Sequence, residues 1–300
     1  MDALSITDLA KTYANGMQAL KGISLHVAEG DFFGLLGPNG AGKTTTIGIM
    51  TGLVNKTSGT VEIFGRNIDR EFSHVKKEIG VVPQEFNFSI FEKVMDVLVT
   101  QAGYYGVPRK IALRRAEEYL KELGLWEKRD EMSKNLSGGY KRRLMIARSL
   151  MHQPRLLILD EPTAGVDVEL RRSMWKFLTS LNKKGTTIIL TTHYLEEAEN
   201  LCKNIAIISK GQIAISTSKK NLLQRLDIET FVFDLRHAIS AKSLDRPDFR
   251  IIDETTIEVD VPKSKSVNEV FSYLTARGIE VVSLRNKTNR LEELFMEMTR

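Results

Sequence analysis

A layered α/β fold built on a covered, largely parallel sheet is predicted for this chain of 300 residues by three observations. Phe32–Leu36, Leu156–Leu159 and Thr187–Leu190 are continuous apolar runs of strand length, the pattern of strands buried on both faces. Helix-length segments separate the later runs. The first run ends in a Gly-rich turn, and Ile47–Leu53 follows with helical potential, so strand, loop and helix succeed one another.

Before the first of these strands, alternating runs from Leu4 to Val27 are punctuated by Asn15-Gly16 and Lys21-Gly22, which predicts two small antiparallel strands. A helical insert occupies about 91–145, with helical stretches at Val94–Ala102 and Ile111–Leu123 that are Lys- and Glu-rich on one side. After Lys210-Gly211 the pattern changes again. Phe231–Leu235 and Ile257–Val261 read as strands, Val267–Ala276 as a helix, Ile279–Leu284 as a strand, and a last helix follows with Asn289 and Glu292 spaced as a capping box. The expected organisation is a first domain over 1–221 and a small α+β accessory domain over 222–300, with no internal repeat or low-complexity tract.

Hydrophobic residues make up 42% of the chain, enough for one large core or two unequal ones. Forty-three Lys and Arg against 38 Asp and Glu leave a formal charge of +5 without a long basic block, which does not choose between a membrane surface, a nucleotide and a nucleic acid. Cys202, the only cysteine, falls in an apolar-periodic stretch and is expected as a small buried hydrophobe; a disulfide within the chain is excluded. No apolar run approaches the ~18 residues of a membrane span. Met1-Asp2-Ala3-Leu4 lacks the basic start and apolar core of a signal peptide, so the expected compartment is the cytoplasm.

The Gly-rich turn is Gly37-Pro38-Asn39-Gly40-Ala41-Gly42-Lys43-Thr44, a complete P-loop pattern in its required place between a buried strand and a helix. Glycines let backbone N–H groups fold around phosphate oxygens, and the helix start adds positive partial charge. Lys43 then reaches the β- and γ-phosphates and the Thr44 hydroxyl ligates Mg²⁺. The pattern arises by accident in roughly 1% of chains this long, taking Gly at about 7%. Leu156-Leu157-Ile158-Leu159-Asp160-Glu161 is a buried strand ending in two carboxylates, Asp160 placed to hold Mg²⁺ and Glu161 to polarise the attacking water. Alone, such a pair is as often just a strand reaching solvent. With the P-loop it makes a P-loop NTPase site.

Leu136-Ser137-Gly138-Gly139-Tyr140, followed by the basic Lys141-Arg142-Arg143-Leu144, narrows the class. The sequence resembles ABC (ATP-binding cassette) ATPases, whose signature is LSGGQ. The resemblance implies a P-loop NTPase core with an antiparallel β subdomain and a helical subdomain, and a homodimer in which Ser137, Gly138 and Gly139 contact ATP held by the other protomer. It also implies, position by position, that Gln84 in Val81-Val82-Pro83-Gln84 is the Q-loop residue contacting Mg²⁺ and water. Tyr13 resembles the aromatic that stacks on adenine, Thr45 joins the phosphate-loop set, Ala164-Gly165-Val166-Asp167 resembles the D-loop, and His193 the switch histidine. Tyr140 departs from the signature glutamine.

Ser283–Phe295 is similar to the tail of ABC-2 type exporter ATPases, and Gln84–Phe88 with Lys141–Arg148 looks particularly like bacterial YadG-type members. That likeness implies an ATP- and Mg²⁺-dependent motor, peripheral on the inner face of the cell membrane, beneath a separately encoded ABC-2 permease. Rival classes fit less well. DNA-repair members carry a long coiled coil between P-loop and signature, whereas about 95 residues separate Gly42 from Ser137 with no sustained heptads. Translation-type members carry two cassettes, and GTPases need Asn-Lys-x-Asp, which Asn182-Lys183-Lys184-Gly185 and Asn286-Lys287-Thr288-Asn289 both miss. No nucleic-acid partner is expected. Phe86, Phe88, Ile90 and Phe91, with Tyr104-Tyr105, either line a groove for a permease helix or fill the junction with the helical insert; Phe88 is expected to be the most exposed of the aromatics.

Overall fold

β3 (Phe32–Leu36), with all five residues buried, runs between β8 (Thr187–Thr192) and β9 (Asn204–Ser209) and is parallel to both. The sheet is completed by β7 (Leu156–Asp160), β6 (Ile79–Val82) and β10 (Gln212–Ser218), in the order β10-β9-β3-β8-β7-β6. Its parallel register sets Leu36 beside Thr192, Asp160 beside Thr191 and Val82 beside Leu159. The loops after residues 36, 82, 160 and 192 therefore leave from one edge, the carboxyl edge where open α/β sheets bind ligands. The computed structural model describes all residues except 193, 225–227, 240–243, 245, 263–264, 288–290, 293 and 296–300, and the side chain of Ile228. It divides into two compact units, Met1–Thr217 and Ser218–Arg300.

A second, antiparallel sheet in the first unit comprises β1 (Asp2–Thr12), β2 (Gln18–Ala28), β4 (Ser58–Ile63) and β5 (Arg66–Asn67), in the order β2-β1-β4-β5. β1 and β2 are eleven residues each, longer than the alternating runs suggest, because register shifts let the ladder continue past polar positions such as Thr7 and Asp8. α1 (Lys43–Met50) shares a core with both sheets: Ile47, Ile49 and Met50 join Leu25 and Val61 of one and Leu35, Ile158 and Ile208 of the other. Even Thr46 and Gly48 are buried, so the helix has no solvent stripe and little amphipathic pattern. α2 (Ile68–Glu78) leads from β5 to β6. α6 (Val168–Lys183) follows β7, and α7 (Leu195–Leu201) follows β8. Cys202 is buried as a small hydrophobe against Gly34, whose side-chain position its sulfur closes off at 3.0 Å.

Three helices form the insert: α3 (Val94–Tyr104), α4 (Arg109–Glu122) and α5 (Gly138–Ser149). They bury the faces carrying Val94, Val97 and Leu98; Ala112, Ala116 and Leu120; and Leu144, Met145 and Ile146. In the second unit, α8 (Lys219–Leu223) precedes an antiparallel sheet of β11 (Ile228–Leu235), β12 (Phe249–Asp253), β13 (Thr256–Pro262) and β14 (Val281–Asn286), ordered β12-β13-β11-β14. α9 (Val267–Thr275) packs Val270 and Leu274 onto Phe233, Ile257 and Val259, and a capping box at Ser266 and Glu269 starts it. The capping box expected at Asn289 lies outside the described residues.

His152, just after α5, ties the insert to the sheet. Its ring stacks on Tyr105, centroids 3.7 Å apart, and its Nε2 lies 2.9 Å from the Ile79 carbonyl. A carbonyl only accepts, so Nε2 carries the proton. Burial lowers this imidazole from 6.5 to about 4. The unfolded chain thus takes up a proton below about 6.5 that the folded one refuses until about 4, and the stabilisation present above that window is lost as pH falls through it. His152→Phe should be less stable near neutral pH, having lost the Ile79 bond, yet show a shallower decline of its thermal midpoint between pH 6.5 and 4. Parallel curves for the two proteins would refute the buried, neutral assignment.

Candidate functional site

Lys43 opens α1 and is only 6% exposed. Its ammonium folds back on its own loop, donating to the carbonyls of Gly37 (2.6 Å) and Pro38 (3.1 Å). Gly42, the residue before it, has φ of 116°, and a Cβ there would lie 2.7 Å from Leu20 and 3.0 Å from the Ala19 carbonyl, so shape and dihedral both demand glycine. Along the helix start, Thr44 is exposed, Thr45 Oγ1 lies 3.3 Å from the Tyr13 hydroxyl, and Thr46 Oγ1 donates to the Gly42 carbonyl. Lys11 Nζ stands 4.9 Å from the centre of the Tyr13 ring. Burial lowers the Lys43 pKa, while the Glu161 and Asp160 carboxylates pull it back up.

Those carboxylates end β7. Asp160, 5% exposed, accepts from the Thr191 hydroxyl at 2.5 Å across the β7–β8 pair. Burial raises its pKa, against the pull of that hydroxyl. Glu161 turns away from the strand with φ of 49°, a sparsely populated region for a side-chain-bearing residue, its N–H held by the Thr191 carbonyl at 3.0 Å. Its Oε2 accepts from Gln84 Nε2 at 3.2 Å, which joins the loop after β6 to the end of β7.

Tyr13, Asn39, Gly40, Gly42, Lys43, Thr44, Thr45, Gln84 and Glu161 line one cavity of about 630 Å³. Gly37, Pro38 and Ala41 of the same loop are not part of its lining. The sequence reading missed the remaining lining: Met17 to Ala19, Lys21, Lys210 and Gly211. The β9–β10 turn sets part of that wall, since the Gly211 N–H donates to the Ala41 carbonyl (3.0 Å) and the Gly211 carbonyl accepts from the Lys21 N–H (2.9 Å). Lys210-Gly211 signals a turn in the sequence; that the turn rests on the phosphate loop is a tertiary fact.

Ser137, Gly138, Gly139 and Asp167 do not line this cavity. Ser137 and Gly138 are exposed at the start of α5, and the Ser137 hydroxyl makes no cap bond there. A Cβ on Gly139 would come 2.1 Å from Leu170 Cδ2 of α6, and Leu170 N–H in turn donates to Asp167 Oδ1 at 2.8 Å, capping α6. The signature and the D-loop are thus neighbours on one surface. Tyr140 has Lys128 Nζ 5.3 Å and the Arg143 guanidinium 5.7 Å from its ring centre. His193 lies outside the described residues.

Comparison with known proteins decides between NTPase classes. The sequence model described as ABC transporter matches residues 20–164. The linearmycin resistance ATP-binding protein LnrL of Bacillus subtilis (strain 168) is 35% identical across 99% of this chain and 98% of its own length. The chain belongs to the ABC transporter ATP-binding proteins. A Nod factor export ATP-binding protein I of Burkholderia pseudomallei (strain K96243) is 40% identical over 68% of the chain and 67% of that protein. Among solved structures, the ATP-binding subunit of an ABC transporter superposes with a TM-score of 0.69 at 26% identity, covering 74% of this chain and 92% of that one. A dimeric, post-hydrolysis state of the cassette MJ0796 bound to ADP and Pi gives a TM-score of 0.67 at 26% identity, over 72% and 98%. The cassette is an ATPase, and no helix among its described residues is long and apolar enough to cross a membrane.

The raised pKa of Asp160, caused by burial, means that its favourable contribution, present at acid pH, is lost as pH rises through the folded value. Asp160→Asn keeps an acceptor for Thr191 and removes the charge. The nucleotide-free variant should melt higher near neutral pH by about 2–4 °C, the shift of roughly 1 kcal/mol, and the gain should shrink toward pH 4. A lower midpoint at neutral pH would show that the ionised carboxylate stabilises the fold.

Proposed function

We propose that the cavity at the carboxyl edge of the parallel sheet is the ATP site of an exporter motor that works as a homodimer. The observation that carries this reading is the Gln84–Glu161 hydrogen bond at the mouth of the loop that holds Lys43, all three lining one cavity. Loop N–H groups from Asn39 to Thr45 and the Lys43 ammonium bind the phosphates, and Tyr13 stacks on the base. Glu161 orients the attacking water, and His193 has the role of the switch histidine that the family resemblance gives it.

The donor set suits Mg²⁺. Thr44 and Gln84 of the cavity lining, and Asp160, which does not line it but ends β7 beside Glu161, offer hard oxygens, and among the described residues no cluster of three or more His, Cys, Asp or Glu could cage a metal. Such a site leaves most of the shell to phosphate and water, as Mg²⁺ prefers. Bound there, the ion neutralises charge on the phosphates. Asp160 waits with one carboxylate oxygen on Thr191.

Ser137, Gly138, Gly139 and Asp167 reach the nucleotide of the second protomer, in keeping with the exposed start of α5 and the dimeric MJ0796 cassette. Glu161→Gln should hold ATP but turn over at least about 100-fold more slowly, and elute as a dimer with ATP. Adding Ser137→Arg should return it to monomer. Monomeric elution of Glu161→Gln at saturating ATP would refute the shared site.

Export rather than uptake is supported by relatives named for Nod factor export and linearmycin resistance. The partner is an ABC-2 type permease, which places the subunit on the inner face of the membrane. Its docking groove lies along the loop after β6, where Phe86 (43%), Ile90 (44%) and Phe91 (71%) are exposed. Phe88 is half-buried, contrary to the sequence expectation, with the Phe86 ring 6.2 Å away. Phe91→Glu should fold and hydrolyse ATP as the wild type does, yet fail to co-sediment with membranes containing the permease; retained co-sedimentation and transport would move the groove elsewhere.

A further inference from the structure

α5 grips the loop after β6 at two points. Arg142, 5% exposed and one turn beyond Gly138, donates from one terminal nitrogen to the Pro83 carbonyl and from the other to the Gln84 carbonyl, both at 2.9 Å. Its guanidinium also lies 5.1 Å from the centre of the Phe86 ring. Farther along the helix, Arg148 donates to the Asn87 carbonyl (3.0 Å) and Oδ1 (2.7 Å) and to Gln101 Oε1 of α3 (2.9 Å). Arg142 Nε is buried without a protein partner, so the two carbonyls set the pose of the group. Among the described residues no carboxylate lies within ion-pair distance of it; its nearest compensation is the field of Asp160 and Glu161, which opposes the pKa lowering caused by burial.

The backbone that Arg142 holds is the one whose next side chain touches Glu161. A bond path therefore runs from the helix that begins with Ser137, through Arg142, to the Gln84 peptide, and from the Gln84 amide to the Glu161 carboxylate. We infer that Arg142 is a positioning residue that makes α5 and the Gln84 loop move as one piece, so that capture of a partner's nucleotide at Ser137–Gly139 resets the Gln84–Glu161 pair of the same chain. This rests on the roles proposed above for Glu161 and Ser137. Coupling of this kind is reciprocal: the state of one chain's own site biases its readiness to engage the other nucleotide. Lysine cannot substitute, because a rounded ammonium has no planar fork to span two successive carbonyls.

Full-length Arg142→Lys and Arg142→Gln test this, with ATP binding and thermal denaturation as checks on folding. Both should lower kcat at least about tenfold with KM within about threefold, the pattern of lost transition-state organisation rather than lost substrate binding. The Hill coefficient for ATP should fall toward 1. In a Gln84→Ala background, Arg142→Lys should change kcat by less than about twofold, because residues acting through one path are non-additive. Unchanged kcat and Hill coefficient in both single variants, or additive losses in the double variant, would overturn the inference. So would loss of folding in both, which would make Arg142 a structural residue only. Wild-type turnover in Glu161→Gln would instead refute the reading of the catalytic site, a separately visible outcome.

Discussion

Burial works against the charge of Lys43 and against that of Asp160: the Glu161 and Asp160 carboxylates favour the ammonium, while the Thr191 hydroxyl, Lys43 and Arg142 favour the Asp160 carboxylate against both burial and the like charge of Glu161. A buried ammonium or carboxylate standing alone is costly, and bringing opposite charges to the same sheet edge offsets part of that cost. The scaffold around them follows from this constraint. β3, β7 and β8 lie side by side in fixed parallel register, so the loop lysine and the strand-end carboxylates reach the same edge. α1, enclosed by two sheets, keeps the loop from moving with solvent fluctuations.

The most legible features in the sequence were those whose physics is local. Eight consecutive residues make the phosphate loop, and the uninterrupted apolar runs of β3, β7 and β8 betray strands with no wet face. Local signals failed where packing decides. β4 reads Ser-Gly-Thr-Val-Glu-Ile, half polar because one side faces water, and its two inward residues, Val61 and Ile63, are too few to announce a strand. α1 begins at Lys43, four residues earlier than its apolar stretch suggests, because its first turn is the end of the phosphate loop. The capping box that starts α9, Ser266 with Glu269, has the same local Ser-x-x-Glu spacing that marks helix starts in sequence.

The site shows the same division. Asp160, Glu161 and Lys43 declare themselves by type and spacing, whereas Tyr13 and Gln84 are candidates through family resemblance; Met17, Gln18, Ala19 and Lys21 carry no signal of a cavity wall, and Lys210-Gly211 signals only a turn. Their place depends on a hairpin turn hydrogen-bonded to Ala41, a contact between residues about 170 positions apart in the chain. Arg142 looked like one basic residue among several on α5. Its separate identity rests on direction: Arg142 points to the Gln84 loop, while Arg143 points to the Leu123 carbonyl and Ser173.

Leu170 fills the space where a side chain on Gly139 would sit, and its amide is the donor that Asp167 uses to cap α6. One residue thus underwrites two motifs that lie about 30 positions apart. Over evolutionary time neither motif is free to drift alone. A lineage that gains bulk at position 139 needs a smaller residue at 170, and any backbone shift that accommodates the exchange also unsettles the start of α6. Paired substitution at these two positions is therefore the trace that this packing should leave in descendants of the chain.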